Sequence, residues 1–194
     1  MPRTRAAVGL VAVAVGAVLL VAALAGSGSS SPGRASGPFA WLHPASPPTG
    51  WKVARTTGGA SLAYPPGWRP IKTDPGTASV ALRGTGGQIH GFLNATPKQG
   101  AETLANWSRF RPRHNEGEGA RGERLVAATR DAHFRSGRGS CVIDTYTTSK
   151  ASYREIACLA SGASSSAVVV AAAPTALWNQ QAATLERAVS TFVP

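Results

Sequence analysis

The pattern of apolar and polar positions changes character several times along the chain. From Ala6 to Ala25 nothing is charged: eight Ala, six Val, four Leu and two Gly follow one another. A helix of that length spans about 30 Å, the thickness of a bilayer core. Arg3 and Arg5 precede it, and it closes on Ala23-Leu24-Ala25, a small-x-small pattern suited to signal cleavage. A cleaved signal peptide explains the basic start and the small residues. A retained signal anchor explains the length. Both readings keep the positive start inside and export the rest. The expected location is therefore the plasma membrane, single-pass with an extracellular C-terminal domain, or secretion if cleavage follows Ala25. No Cys follows the apolar run to take a lipid.

Residues 26–50 hold six Ser, five Gly and five Pro, a composition that cannot bury a core and that suits a tether. Phe39, Trp41 and Leu42 form an apolar island inside it. The island is expected to pack back onto the domain rather than to serve a partner. The folded domain is placed at 51–194, a normal single-domain length.

Within that domain, strands are expected over Ala60–Tyr64, Trp68–Lys72, Thr77–Arg83 and Gln88–Ala95. Pro65-Pro66-Gly67 and Gly84-Thr85-Gly86-Gly87 supply turns between them. Gly100 to about Phe110 reads as a helix, with Ala101, Leu104, Ala105 and Ser108 on one face. Arg111–Gly122, rich in glycine and charge, reads as a loop. Strands follow at Arg124–Thr129, Ala132–Arg135, Ser140–Thr148 and Tyr153–Ala160. Ala167–Ala172 is continuously apolar, as a central strand requires. The final helix starts at Pro174-Thr175 and carries Trp178, Ala182, Leu185, Val189 and Phe192 as one stripe. The order predicts an α+β fold, a largely antiparallel sheet packed between helices.

Ser149-Lys150 fits a two-residue hairpin turn. Counting outward from it, Tyr146 faces Tyr153, Ile143 faces Ile156, and Cys141 faces Cys158. Directly opposed cysteines in an exported domain are expected to form a disulfide. The same register sets Asp144 against Glu155, a like-charge pair that argues against it. A redox role for the cysteines is the lesser reading, because the spacing is not C-x-x-C.

Charge sharpens the picture. The chain of 194 residues has 20 Lys+Arg against 9 Asp+Glu, a net charge of +11. Arg109 to Arg138 concentrates eight Arg against four acids. Arg109, Arg111, Arg113, Arg121 and Arg124 are candidates for a patch that meets an anionic lipid, an acidic envelope polymer or an envelope protein. Export disfavours nucleic acid as the partner. Gly117, Gly119 and Gly122 match G-x-G-x-x-G, but a dinucleotide loop needs a strand before it and a helix after it. Here the order is reversed and acids surround the glycines. His43, His90, His114 and His133 show no metal spacing, although Asp131, His133 and a neighbouring-strand His90 could converge. No nucleophile elbow and no recognisable carboxylate pair is present. No catalytic residue, metal or cofactor is expected.

Leu62-Ala63-Tyr64-Pro65-Pro66-Gly67-Trp68 resembles the strand-Tyr-Pro-x-Gly-Trp opening of the PsbP-like superfamily, which includes PsbP and LpqN-type exported proteins. The order after it, two strands, a helix, a meander and a closing helix, also fits over 51–194. The Ala-, Gly- and Arg-rich composition resembles that of actinobacterial chains. The resemblance implies an antiparallel sheet between helical layers and a binding or assembly role without catalysis. It assigns no ligand residue, and Tyr64, Pro66, Gly67 and Trp68 are expected to be structural. The leading expectation is an exported, membrane-tethered, non-enzymatic module of the cell envelope. The alternative is an envelope enzyme or small-ligand carrier with a pocket at the sheet–helix edge.

Overall fold

Side-chain alternation decides which face of the sheet each residue serves, and it divides this protein into two unequal layers. The computed structural model describes residues 37–194. The strands are β1 (Lys52–Arg55), β2 (Ser61–Tyr64), β3 (Arg69–Pro70), β4 (Ala78–Arg83) and β5 (Ile89–Pro97), followed by helix α1 (Trp107–Gly117). Then come β6 (Arg121–Phe134), β7 (Gly137–Thr147), β8 (Ser152–Gly162) and β9 (Ser166–Pro174). A short 3-10 turn, Thr175–Leu177, leads into α2 (Trp178–Ser190). Seven strands pair antiparallel in the order β3-β4-β5-β9-β8-β7-β6, and β1 and β2 form a separate hairpin. The apolar segment at 6–25 and the first part of the Ser/Gly/Pro stretch lie outside the described residues. Among the described residues no helix is long and apolar enough to cross a membrane.

The α2 face of the sheet carries the main core. Ile143, Ile156, Val169, Ala171 and Leu93 point to it, and Leu185, Val189 and Phe192 descend on them from the α2 end of the chain. Phe134 meets Phe192 edge-on, with ring centroids 6.1 Å apart. Tyr64 and Trp68 of the opening motif are buried in the same core, which fits their structural reading. Residues before Trp51 join it too. Leu42 is buried, Phe39 and Trp41 pack beside it, and the Ala45 amide donates to the Ser190 carbonyl at 3.0 Å. The folded unit thus takes in the apolar island and starts earlier than residue 51.

The β7–β8 hairpin has the expected register. Cys141 pairs with Cys158, Ile143 with Ile156, Asp144 with Glu155 and Tyr146 with Tyr153. Cys141 and Cys158 form a disulfide, fully buried on the α2 face.

Two elements differ from expectation. Residues 124–129 and 132–135 belong to one long strand, β6, whose register shifts at three places against β7. Bulges bend and twist an edge strand, which discourages pairing with another chain. The first helix lies later than the pattern suggests, at 107–117 rather than 100–110. Asn106 explains its start. Its side chain accepts from the Thr103 amide at 2.7 Å and donates to the Ala101 carbonyl at 2.9 Å, so the preceding residues close a turn instead of a helix. The helix then runs through Pro112, which lacks an amide for the ladder. It stops at Gly119 (φ +91°), where the Ala120 amide reaches back to Asn115 and the Gly119 amide to Glu116. Gly122 (φ +63°) sits at the first β6 irregularity. The glycine motif is therefore a helix cap followed by a bulge.

Candidate functional site

Among the described residues, the second face of the sheet is covered by α1 and the turn that precedes it, and incompletely. Trp107 anchors the helix. It is buried against Val142, Ala157, Leu159 and Val170, and its indole Nε1 donates to the Ala157 carbonyl at 2.9 Å. One helical turn later Arg111 points the same way, because residues four apart share a helix face. Its Nε and Nη2 donate to Glu155 Oε1 and Oε2 at 2.6 and 2.8 Å, a two-pronged ion pair. The Tyr146 hydroxyl donates to Glu155 Oε2 at 3.2 Å. Another turn along, Asn115 donates to Glu123 Oε2 of β6 at 3.5 Å.

This arrangement resolves the like-charge pair. Asp144 and Glu155 face each other across β7 and β8, both fully buried. Glu155 takes the guanidinium. Arg111 loses solvation on burial, but the Glu155 carboxylate overrides that and holds its charge even more firmly than usual. Asp144 is left without any N–H or O–H donor on either oxygen. Burial, reinforced by the charges of Glu155 and Glu123, pushes its pKa up to about 9. Glu123 is also raised, mainly by burial. At neutral pH Asp144 therefore keeps its proton, and Glu123 is its partner across β6 and β7. Burial and the Glu155 charge also push the Tyr146 hydroxyl upward, so it remains a donor. The cluster is a clamp that fastens α1 to three strands.

Beside the clamp, where α1 leaves the sheet uncovered, lies a cleft of about 560 Å³. Phe92, Val168 and Val170 make its floor. Trp107, Phe110 and His114 make its helical wall, with successive ring centroids 6.0 Å apart and nearly parallel planes. Asn94 and Thr96 form a polar strip. Thr96 donates to Asn94 Oδ1 at 2.7 Å, and Asn94 donates to Ser79 Oγ at 2.6 Å. Asp74, Glu102 and Glu118 stand along the lining. Glu102 is 5% exposed; its Oε1 accepts from the Gln99 amide at 2.9 Å, whereas Oε2 is buried with no donor. Burial opposes its charge, but the Gln99 amide, with other backbone N–H groups and Lys98, holds its pKa below the ordinary value.

The sequence-predicted arginines separate in three dimensions. Arg109 and Arg113 are exposed on the outer side of α1, and Arg121 and Arg124 are exposed at the start of β6. Arg111 is spent inward on Glu155 and is not part of that surface. Arg130 lies exposed within β6, and Arg135 and Arg138 lie beyond its far end and at the start of β7, roughly 30 Å or more along the strand from Arg124. The basic stretch is thus spread along the edge strand rather than gathered in one patch. His90 does not converge with Asp131 and His133, because β9, β8 and β7 lie between β5 and β6. His133 Nε2 is 3.4 Å from Asp131 Oδ1, on the exposed side of the edge strand. Among the described residues no group of three or more His, Cys, Asp or Glu could hold a metal ion. Sequence reasoning missed the clamp. The signal that could have found it was the Asp144–Glu155 pair, which requires a cation or a proton over that face.

No family model matches this chain, and no curated protein matches it in sequence. Its fold is similar to that of cyanobacterial PsbP (CyanoP) from Synechocystis sp. PCC 6803. The TM-score is 0.53 at 16% identity, over 74% of this chain and 92% of that one. LpqN of Mycobacterium tuberculosis, described as involved in cell envelope biogenesis, aligns with a TM-score of 0.40 at 13% identity, over 74% of this chain and 91% of that one. The fold is PsbP-like, as the opening motif implies.

Proposed function

We propose that this PsbP-like domain is an exported, membrane-tethered, non-enzymatic binding or assembly module of the cell envelope, and that it meets an anionic partner through the outer side of α1 and the start of β6. One observation carries this reading. Arg109, Arg113, Arg121 and Arg124 are all exposed, and among the described residues none has a carboxylate within 4.0 Å. The clamp through Arg111 fixes the helix that presents two of them. The buried disulfide supports the export half, since such bonds persist in oxidising compartments. The tether rests on residues 6–25 of the sequence.

Co-sedimentation of the full chain with phosphatidylglycerol vesicles, and with phosphatidylcholine vesicles as control, tests the contact. An arginine near an anionic surface contributes about 1 kcal/mol, so R109E/R113E should weaken binding to the anionic vesicles more than about tenfold. High salt should do the same. Insertion of the apolar segment is indifferent to vesicle charge and gives the control its baseline. Equal binding by wild type and variant at low salt would count against the anionic contact.

A second reading is favoured by the cleft. A small-ligand carrier needs a concave, mostly apolar site with a few placed polar groups, and the α1 cleft has that form. The catalytic version of this reading loses the convergence it needs, because His90 stays apart from the exposed Asp131–His133 pair.

A further inference from the structure

We propose that the end of the sheet where the β4–β5, β7–β8 and β9–α2 connections meet binds a small organic carboxylate, an anionic head on an apolar body. The topology gathers these connections. β4, β5, β9, β8 and β7 are successive antiparallel neighbours, so the last residues of β4, β7 and β9 and the first of β5 and β8 share one end. Tyr153 pairs with Pro174 there. A cleft of about 500 Å³ opens between the three connections. It shares no residue with the cleft beside α1 and holds none of the outer α1–β6 arginines, so the inference goes beyond both readings above.

The lining divides into a basic rim and an apolar floor. Arg83, Lys150 and His90 belong to the rim, and no Asp or Glu is part of the lining. Among the described residues neither Arg83 nor Lys150 has a carboxylate within 4.0 Å. Arg83 is nevertheless held in place. Its Nη1 donates to the Gly87 carbonyl at 3.0 Å, across a turn in which Gly87 takes φ +79°. That bond orients the guanidinium, whose other N–H donors can grip a planar carboxylate with two parallel bonds. Gly84 makes room for His90, since a side chain at 84 would collide with the imidazole. The floor is Ile89, Tyr153, Pro174 and Leu177, all half-buried. Tyr146 stacks on Tyr153, with ring centroids 5.9 Å apart, and steadies that ring. A concave apolar site with a few placed polar groups is the form of a small-molecule pocket. An ammonium ligand entering it would meet like charges and no acid. A neutral ligand would cover the floor and leave both cations unpaired, so charge carries the selectivity.

Benzoate, benzamide and benzamidinium have nearly one shape and differ in charge: negative, neutral and positive. Each is titrated into the full chain at neutral pH, and backbone amide shifts at residues 83–90, 149–153 and 174–177 are followed by NMR. The expected result is saturable shifts in those three segments, with benzoate binding at least about fivefold tighter than benzamide and no saturation by benzamidinium. R83Q/K150Q alters two exposed side chains. It should bring benzoate down to the affinity of benzamide and leave benzamide unchanged. L177A should weaken both, because the floor holds the ring they share. Benzamide or benzamidinium binding as tightly as benzoate, or benzoate binding R83Q/K150Q as tightly as wild type, would overturn the carboxylate assignment. Benzoate shifts no larger in these segments than at Arg109, Arg113, Arg121 and Arg124 would mark general attraction to a basic surface and overturn the site. Vesicle binding through α1 and β6 is read separately, so this inference and the proposed function fail independently.

Discussion

Asp144 is the residue whose chemistry departs furthest from the ordinary, and its consequences are measurable. Its folded pKa, about 9, lies above the unfolded value near 3.8. Between those values the folded state binds the extra proton, so stability falls as pH rises through that window. Its contribution is least unfavourable in acid and most unfavourable above pH 9. Asn is nearly isosteric with the protonated acid and cannot ionise. D144N should therefore gain stability relative to wild type as pH rises from 5 to 9, a difference visible in denaturant midpoints across that range. A constant difference between the two proteins at all pH values would contradict the assignment. Arg111 makes the opposite case. Removing it leaves the buried Glu155 carboxyl without its two-pronged partner, a loss of about 3–5 kcal/mol. R111A should lose that much by denaturant unfolding. R111K, which keeps the charge but not the two-pronged geometry, should lose less. Sequence made half of this cluster visible. The hairpin register exposed the Asp144–Glu155 opposition because both lie on adjacent strands. Arg111 stayed hidden because Pro112 and the surrounding charge made its segment look like a loop.

Elements were legible in proportion to how locally they are determined. A two-residue turn fixes a hairpin register outright, so the β7–β8 pairing and the disulfide could be read by counting. Removing that bond in C141A/C158A should lower stability by about 3 kcal/mol for a loop of this length, checked by thermal unfolding of the oxidised protein against the variant. The closing stripe from Trp178 to Phe192 was equally readable, since a helix on a sheet displays its buried face at regular spacing. The first helix was not. Its start depends on the Asn106 side chain choosing a turn over a helix, and its second half on ties from Arg111 and Asn115 to distant strands. Those ties are tertiary, so no window of sequence contains them. The single strand β6 was divided in prediction because its bulges break alternation, which is the only local signature a strand has.

For the molecule as a whole, the opening motif at Tyr64–Trp68 was enough to indicate the fold, because that motif occupies the core where strands and α2 meet. The distribution of charge was not legible. The chain reads as basic, with its arginines concentrated between 109 and 138, yet folding sorts its charges into three settings. Exposed arginines face outward from α1 and β6, a neutralised cluster fastens the helix, and carboxylates line the cleft beside it. Which arginine goes where depends on the α1 register and on the order of strands, neither of which is a local property. The central proposal is that the domain is exported and meets an envelope partner through its outer α1–β6 surface. Photocrosslinking in intact cells tests it most directly, with a photoreactive residue in place of Arg113 or Arg124 and, as control, in place of exposed Val53. The account predicts a defined adduct from positions 113 and 124 that is lost when the remaining patch arginines are reversed in charge, and none from position 53. Adducts at position 53 alone, or adducts at 113 and 124 that persist after charge reversal, would contradict it.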